Sequence, residues 1–262
     1  MTRRLGYLFS LLVLFSPAAW GDYTLNMHPG VTSISRDIYD LHMTIFWICV
    51  TIGAAVFGVM FYAIIYHRKS LGATAAHFHE STTVEIIWTL VPFVILAAMA
   101  VPATQVLIRM SDARDSELTI KITGYQWQWE YDYLGQGVKF MSRLTTPSDQ
   151  ISNRDVKNEQ YLLEVDNHVV VPVGKKIRFL TTANDVIHSW WVPKLGVKKD
   201  AIPGFINEAW AQIDTPGIYR GQCAELCGYN HGFMPIVVDA RMPDEFNAWL
   251  VAKKAELAKN DP

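Results

Sequence analysis

The sequence predicts a two-helix transmembrane hairpin followed by an all-β sandwich or barrel with a C-terminal helix. Three observations carry the prediction. Two long apolar runs free of Asp, Glu, Lys and Arg fall within the first 108 residues. From Glu117 onward the pattern changes to short β-type segments broken by Gly, Pro and Asn. The closing stretch PDEFNAWLVAKKAELAK has the apolar spacing of one amphipathic helix.

Composition limits the function classes. The chain has 262 residues, is 50% hydrophobic and carries a formal net charge of −2. Lys and Arg form no long run, so the charge pattern offers no footprint for nucleic acid.

Residues 1–21, MTRRLGYLFSLLVLFSPAAWG, read as a secretory signal peptide. Arg3 and Arg4 are followed by an apolar run to Phe15, then by Pro17 and the small residues Ala18, Ala19 and Gly21. An uncleaved anchor is the alternative, although the run is shorter than the ~20 residues of a spanning helix.

Residues 22–110 then comprise an N-terminal segment and the hairpin, with spans at about 41–66 and 86–108. Each run is long enough to cross a bilayer as a helix. Pro92 and Pro102 do not prevent this, because neighbouring helices can satisfy the carbonyls they free. The loop carries Arg68 and Lys69, but Arg36, Arg109 and Arg114 flank the other ends, so the positive-inside difference is small. Orientation therefore rests on the signal peptide. A chain that begins outside returns outside after two crossings, which places everything after about residue 109, including the domain at 111–262, in the periplasm or an equivalent space; the expected location is a bacterial inner membrane.

Strands are expected at 118–123, 125–133, 161–166, 176–182, 186–192, 208–213, 217–223 and 234–240, suggesting an antiparallel sandwich or barrel. In YQWQWEYDY the alternation places Tyr125, Trp127 and Trp129 on one face. The polar stretch 134–160, with Gly135, Gly137 and Pro147, reads as a long surface loop.

Chemistry concentrates in QCAELCGYNHGFM, residues 222–234. Cys223, Cys227, His231 and Met234 read as lying on one loop after a strand, and His188 in VIHSWW sits on what reads as a neighbouring strand. Thiolate and thioether select soft metals, and methionine is a poor zinc ligand but a familiar weak axial ligand to copper. A single blue-copper site needs one cysteine, so the second is informative. Two thiolates can bridge two copper ions, each with one imidazole, with Met234 on one and a backbone carbonyl on the other. A Cys223–Cys227 disulfide and a mononuclear zinc site stand as alternatives. Cys49 is expected to be a buried apolar residue of the first span, and His77, His79 and His168 to be solvated.

The motifs VEIIWTLVP (84–92), YQWQWEY (125–131), LLEVDN (162–167), DVIHSWWVP (185–193), KKDAIPG (198–204) and GQCAELCGYNHGFMPI (221–236) resemble subunit II of cytochrome c oxidase, the haem-copper terminal oxidase with a binuclear copper-A centre. The resemblance covers nearly all of residues 36–250. It implies a cupredoxin-like Greek-key domain. It also implies two copper ions held by His188, Cys223, Cys227, His231, Met234 and the backbone carbonyl of Glu225.

By the same resemblance, the Glu225 carboxylate reaches a magnesium ion shared with subunit I. Trp127 matches the surface tryptophan that receives electrons from cytochrome c, and Glu85 the acid at the mouth of a proton pathway. Asp132, Asp166 and Asp185 match acids that dock cytochrome c. The implied partners are subunits I and III, cytochrome c and the lipid membrane, with haem only in the partner subunit. Family members often carry an aromatic residue where this chain has Gln128. Over residues 109–262 acids barely outnumber bases, so only a local acidic patch can steer a basic donor. The intact donor set argues against the related quinol oxidase subunit II, and two spans with a methionine at this spacing argue against a membrane-anchored copper chaperone. No C-x-x-C-H haem-attachment motif occurs in the sequence.

Overall fold

The computed structural model describes residues 26–77 and 79–260. The stretch read as a signal peptide lies outside the described residues. Helix α1 spans Ser33–Tyr66 and helix α2 spans Thr82–Ser111. Both are apolar enough and long enough to cross a membrane. The second continues through Pro92 and Pro102. Leu41, Ile45 and Ile48 of α1 face Val94, Ala98 and Pro102 of α2 across one cleft, while Phe57, Val59, Trp88 and Phe93 are exposed. That outward apolar surface suits lipid or neighbouring helices. Cys49 is exposed on α1 rather than buried as the sequence suggested, because two helices can cover only one stripe of each other.

With 34 residues, α1 is roughly 50 Å long, well beyond the ~30 Å hydrocarbon core. Its surplus includes a first turn fixed to the β domain. Thr32 caps the helix by accepting from the Ser35 backbone N–H at 3.0 Å, and its own N–H donates to Ser35 Oγ at 2.9 Å. Thr32 Oγ1 also donates to the Leu195 carbonyl at 2.9 Å. The backbone N–H of Val31 donates to the Lys194 carbonyl, and that of Asp214 to the Val31 carbonyl. Arg36 pairs with Asp214 at 2.6 Å, and Trp210 Nε1 donates to the Arg109 carbonyl at 3.0 Å. Both outer helix ends are thus tied to the same domain.

That domain has ten strands: β1 Leu118–Tyr125, β2 Gln128–Tyr133, β3 Val138–Ser142, β4 Val169–Pro172, β5 Lys176–Ala183, β6 His188–Val192, β7 Val197–Ala201, β8 Asn207–Gln212, β9 Gly217–Cys223 and β10 Pro235–Arg241. They form two five-stranded sheets, ordered β3-β2-β1-β5-β8 and β4-β10-β9-β6-β7. The sheets are mixed rather than wholly antiparallel: β1 runs parallel to β5, and β10 parallel to β4. Alternation along each strand sends Ile120, Ile122, Trp129, Tyr131, Phe179, Trp190, Ile236 and Val238 into the core between them. The polar tips of the buried aromatic rings Trp190 and Tyr133 are satisfied. Trp190 Nε1 donates to Tyr131 Oη at 3.3 Å, and Tyr133 Oη donates to the Val170 carbonyl at 2.8 Å.

A single turn of helix, α3 (Ser148–Ile151), interrupts the loop after β3. The expected terminal helix is present as α4, Pro243–Asn260. Its Trp249 ring lies 5.3 Å from Tyr133 and 6.3 Å from Phe140, closing one edge of the core.

Three further sequence expectations need correction. The segment 161–166 is not a strand. Leu162 takes a left-handed conformation with φ 59°, and only Val165 pairs, by an isolated bridge to Leu144. Tyr125 and Trp127 do not share a face with Trp129, because Gln126 and Trp127 form the two-residue turn of the β1–β2 hairpin. His168 is not free in solvent: its Nε2 lies 2.7 Å from Glu164, which also pairs with Arg220 at 2.6 Å.

Candidate metal centre

Three connections at one end of the sandwich build the site: the β1–β2 turn, the approach to β6, and the loop from β9 to β10. His188 opens β6, Cys223 closes β9, and Met234 immediately precedes β10. Between them Cys227 lies on the loop and His231 on a short 3-10 turn, His231–Phe233. The chain reverses here because β9 and β10 are antiparallel neighbours, so residues at both ends of the loop return to one point.

The donor atoms meet in a specific pattern. Cys223 Sγ and Cys227 Sγ lie 3.8 Å apart, far beyond the ~2.05 Å of a disulfide, and both thiols are free. Each sulfur faces its own imidazole. His188 Nδ1 is 3.9 Å from Cys223 Sγ, and His231 Nδ1 is 3.4 Å from Cys227 Sγ. Met234 Sδ lies 3.6 Å from Cys227 Sγ, and the Glu225 carbonyl oxygen 3.4 Å from Cys223 Sγ. His188, both cysteines and Met234 are buried. Among the described residues, His188, Cys223 and Cys227 form a group that could hold a metal ion, their donor atoms within 4.8 Å of one another.

Supporting contacts fix these donors. The Asp185 carboxylate accepts from His188 Nε2 at 2.9 Å, from the Val186 N–H at 2.7 Å and from the Gln126 N–H at 2.7 Å. A carboxylate can only accept, so Nε2 carries a proton and Nδ1 is left for the metal. Gly124 makes room for the ring: a Cβ there would sit 2.7 Å from His188 Cδ2. The Cys227 carbonyl accepts from Gln126 Nε2 at 2.8 Å and from Trp127 Nε1 at 3.1 Å. Trp129 Nε1 donates to the Met234 carbonyl at 3.2 Å.

Electrostatics within the pair is unequal. Burial pushes the Cys227 thiol up to about 12, reinforced by the charge of neighbouring Cys223. Burial also opposes ionisation of Cys223, but the neighbouring His188 imidazole together with the surrounding backbone holds it below its usual value. The His188 imidazole is raised, since the partners Cys223 and Asp185 outweigh its burial. Negative charge therefore settles first at Cys223, and the pair presents a soft anionic nest that a metal cation would complete.

The other expected residues are dispersed. Glu225 and Asp166 are exposed, Asp132 is half-buried on the outer face of β2, and Trp127 is half-buried at the turn. Asp166 Oδ1 accepts from the Arg143 N–H at 2.7 Å. Asp185, matched to a docking acid, has its oxygens committed to three donors around the metal donors. Glu85 lies in the first turn of α2, far along the chain from this site. Sequence reasoning overlooked Gln126, Gly124 and Tyr229. Gln126 lies within YQWQWEY and Gly124 just before it, but neither is a metal-donor residue type, and the Tyr229 ring became notable only by packing 4.4 Å from Trp127.

Comparison with known proteins agrees with this architecture. Residues 118–241 match the family described as cytochrome c oxidase subunit II, periplasmic domain, and residues 20–106 match the transmembrane domain of that subunit. A probable cytochrome c oxidase subunit 2 of Rickettsia bellii is 37% identical over 254 residues, covering 95% of this chain and 92% of the relative. The mitochondrial cytochrome c oxidase subunit 2 of Glycine max is 40% identical over 230 residues, covering 87% of this chain and 58% of that protein. The crystal structure of the periplasmic domain of subunit II of cytochrome oxidase from Bradyrhizobium japonicum superposes with a TM-score of 0.50 at 41% identity, covering 55% of this chain and 98% of that domain. With both family models matched along most of its length and a full-length relative at this identity, the chain belongs to the cytochrome c oxidase subunit II family.

Proposed function

We propose that this chain is the electron-accepting subunit of cytochrome c oxidase, taking electrons from cytochrome c and passing them to haem in subunit I, where oxygen is reduced to water. The observation that carries the reading is the pairing of each buried thiol with its own imidazole, flanked by a thioether and a carbonyl. Six donors exceed the four that a single tetrahedral zinc site uses, and the thioether favours copper. His188, Cys223, Cys227, His231, Met234 and the Glu225 carbonyl would hold two copper ions. When bound, that pair would supply a one-electron couple with little change of geometry.

The chain's own residues orient and insulate the centre. Asp185 sets which nitrogen of His188 faces the sulfurs, and burial of both thiols keeps water from them. Gln126 and Trp127 bond to the Cys227 carbonyl, which links the half-exposed indole to a metal donor through one hydrogen bond. That contact supports Trp127 as the residue nearest the incoming electron. Asp132 and Asp166 would steer a basic donor toward it, while Asp185 contributes mainly from within. Glu225, exposed beside its own ligating carbonyl, would reach a magnesium ion at the contact with subunit I. Glu85, near the end of a span, would stand at the mouth of a proton pathway.

We place the β domain in the periplasm and the helices in a bacterial inner membrane, beside subunits I and III, after removal of residues 1–21. Metal analysis of the purified full chain tests the central claim. Two coppers per chain, with resonance hyperfine splitting from two equivalent nuclei, are expected; one isolated copper, or an S–S bond without metal, refutes it.

A further inference from the structure

We propose that Tyr229 is a docking residue for the protein electron donor, forming with Trp127 an aromatic step that replaces the ring missing at position 128. This deepens, and rests on, the reading of Trp127 as the face where electrons arrive.

Tyr229 is 85% exposed, yet its ring is not loose. It packs edge-on against the Trp127 indole, with ring centres 4.4 Å apart, a favourable aromatic geometry. The backbone between the metal donor and the tyrosine is shaped for this contact. Gly228 has φ +118°, and a Cβ there would lie 2.9 Å from Trp127 Cζ2, so only glycine lets the loop lie flush on the indole. Trp127 is in turn pinned by its hydrogen bond to the Cys227 carbonyl. Two rings therefore stand at the surface, one bonded to a metal donor's backbone and the other two residues along the chain from it.

Gln128 cannot supply that surface. Its Oε1 accepts from Arg143 Nε at 2.5 Å, which commits the side chain to the β3 edge.

The chemistry around the step identifies the occupant. Gln128, Glu130 and Asp132 alternate on the outer face of β2, starting directly after Trp127; Glu130 is paired with Lys139 at 3.2 Å, which leaves Asp132 and exposed Asp166, the latter joined to the same region through the Arg143 N–H, as the carboxylates of the border. An apolar aromatic step bordered by carboxylates fits a protein that presents an apolar prosthetic-group edge within a basic rim, as a c-type cytochrome does. Tyr229 acts by contact and is not itself oxidised. Rigid exposed aromatics of this kind are the side chains that dominate binding at interfaces.

The test is steady-state oxidation of reduced c-type cytochrome by the assembled oxidase carrying Tyr229→Ser, Tyr229→Phe or Trp127→Phe, over a range of ionic strengths. Tyr229→Ser should raise KM for the cytochrome about tenfold, the size expected for a central aromatic contact. Copper content and the copper absorption bands should stay at wild-type values, and Tyr229→Phe should restore most of the loss. The slope of rate against salt should be unchanged, because an uncharged contact adds nothing to steering. An unaltered KM in Tyr229→Ser, with Trp127→Phe still slow, overturns this proposal and leaves the parent reading standing. Normal turnover in Trp127→Phe removes the parent reading instead. Loss of subunit I from the purified Tyr229→Ser complex at unchanged KM would show that the ring faces the membrane partner, and would also overturn it.

Discussion

Asp185 Oδ1 accepts a hydrogen bond from Nε2 of the fully buried His188 at 2.9 Å, which turns the opposite ring nitrogen toward Cys223. The same carboxylate holds the Gln126 N–H, so one acid fixes both a metal donor and the turn that carries Trp127. Carboxylates that orient a ligating histidine commonly account for 10–100-fold in metal affinity. Asp185→Ala should therefore lose copper to a competing chelator about 10–100-fold more readily than wild type. Retention equal to wild type would mean that His188 is held by packing alone.

Seven of the eight strands expected from the sequence exist, and the donors expected to meet do meet. Legibility was high there because alternation reports burial directly, and because Cys223, Cys227, His231 and Met234 lie within one loop. The failures have local causes. β7, VKKDA, buries only its two ends, Val197 and Ala201, so its charged centre hides the strand. β3 sits in a stretch that Gly135 and Gly137 mark as loop. The Gln126–Trp127 turn contains neither Gly nor Asn, and alternation runs straight through it. Parallel pairing of β1 with β5 depends on contacts between distant segments, which no local pattern encodes.

Glu164 should give the β domain an acid-sensitive element. Its burial opposes ionisation, but hydrogen bonds from Arg220 and His168 outweigh this and hold its carboxyl below the ordinary value of 4.5. A group depressed in the folded state stabilises fully above its unfolded value, and that contribution fades as pH falls through the lower folded value. Among the described residues the buried Arg220 Nε has no hydrogen-bond partner, and the guanidinium is held by Nη2 donating to this carboxylate at 2.6 Å. Glu164→Gln should cost about 1–3 kcal/mol at pH 7, and the gap between variant and wild type should close below pH 4.5. Melting curves across pH check this; a gap that widens on acidification would reverse the assignment.

The joint between α1 and the β domain turns on Thr32. Its hydroxyl accepts from Ser35 and donates to the Leu195 carbonyl in a fully buried setting. Thr32→Val keeps the volume and loses both bonds, a change of about 1–2 kcal/mol by analogy with other helix caps. The melting temperature should fall by several degrees while copper content is unchanged, because the joint lies far along the fold from the metal donors. Loss of copper without loss of stability would show that the joint, not the domain, shapes the centre.

Gly124 tests whether the imidazole position is set by the sheet as well as by Asp185. A methyl group at this position would lie 2.7 Å from His188 Cδ2, and β1 is pinned between β2 and β5, so the ring must yield rather than the backbone. Gly124→Ala should weaken copper retention by an amount similar to Asp185→Ala, about 10–100-fold, with the circular dichroism of the folded sheet preserved. Both changes act by displacing one ring. Their combination should therefore fall well short of the product of the two single effects, since residues that share a partner do not add. A fully multiplicative double variant would show that the glycine and the carboxylate support different donors, and would remove His188 as their common target.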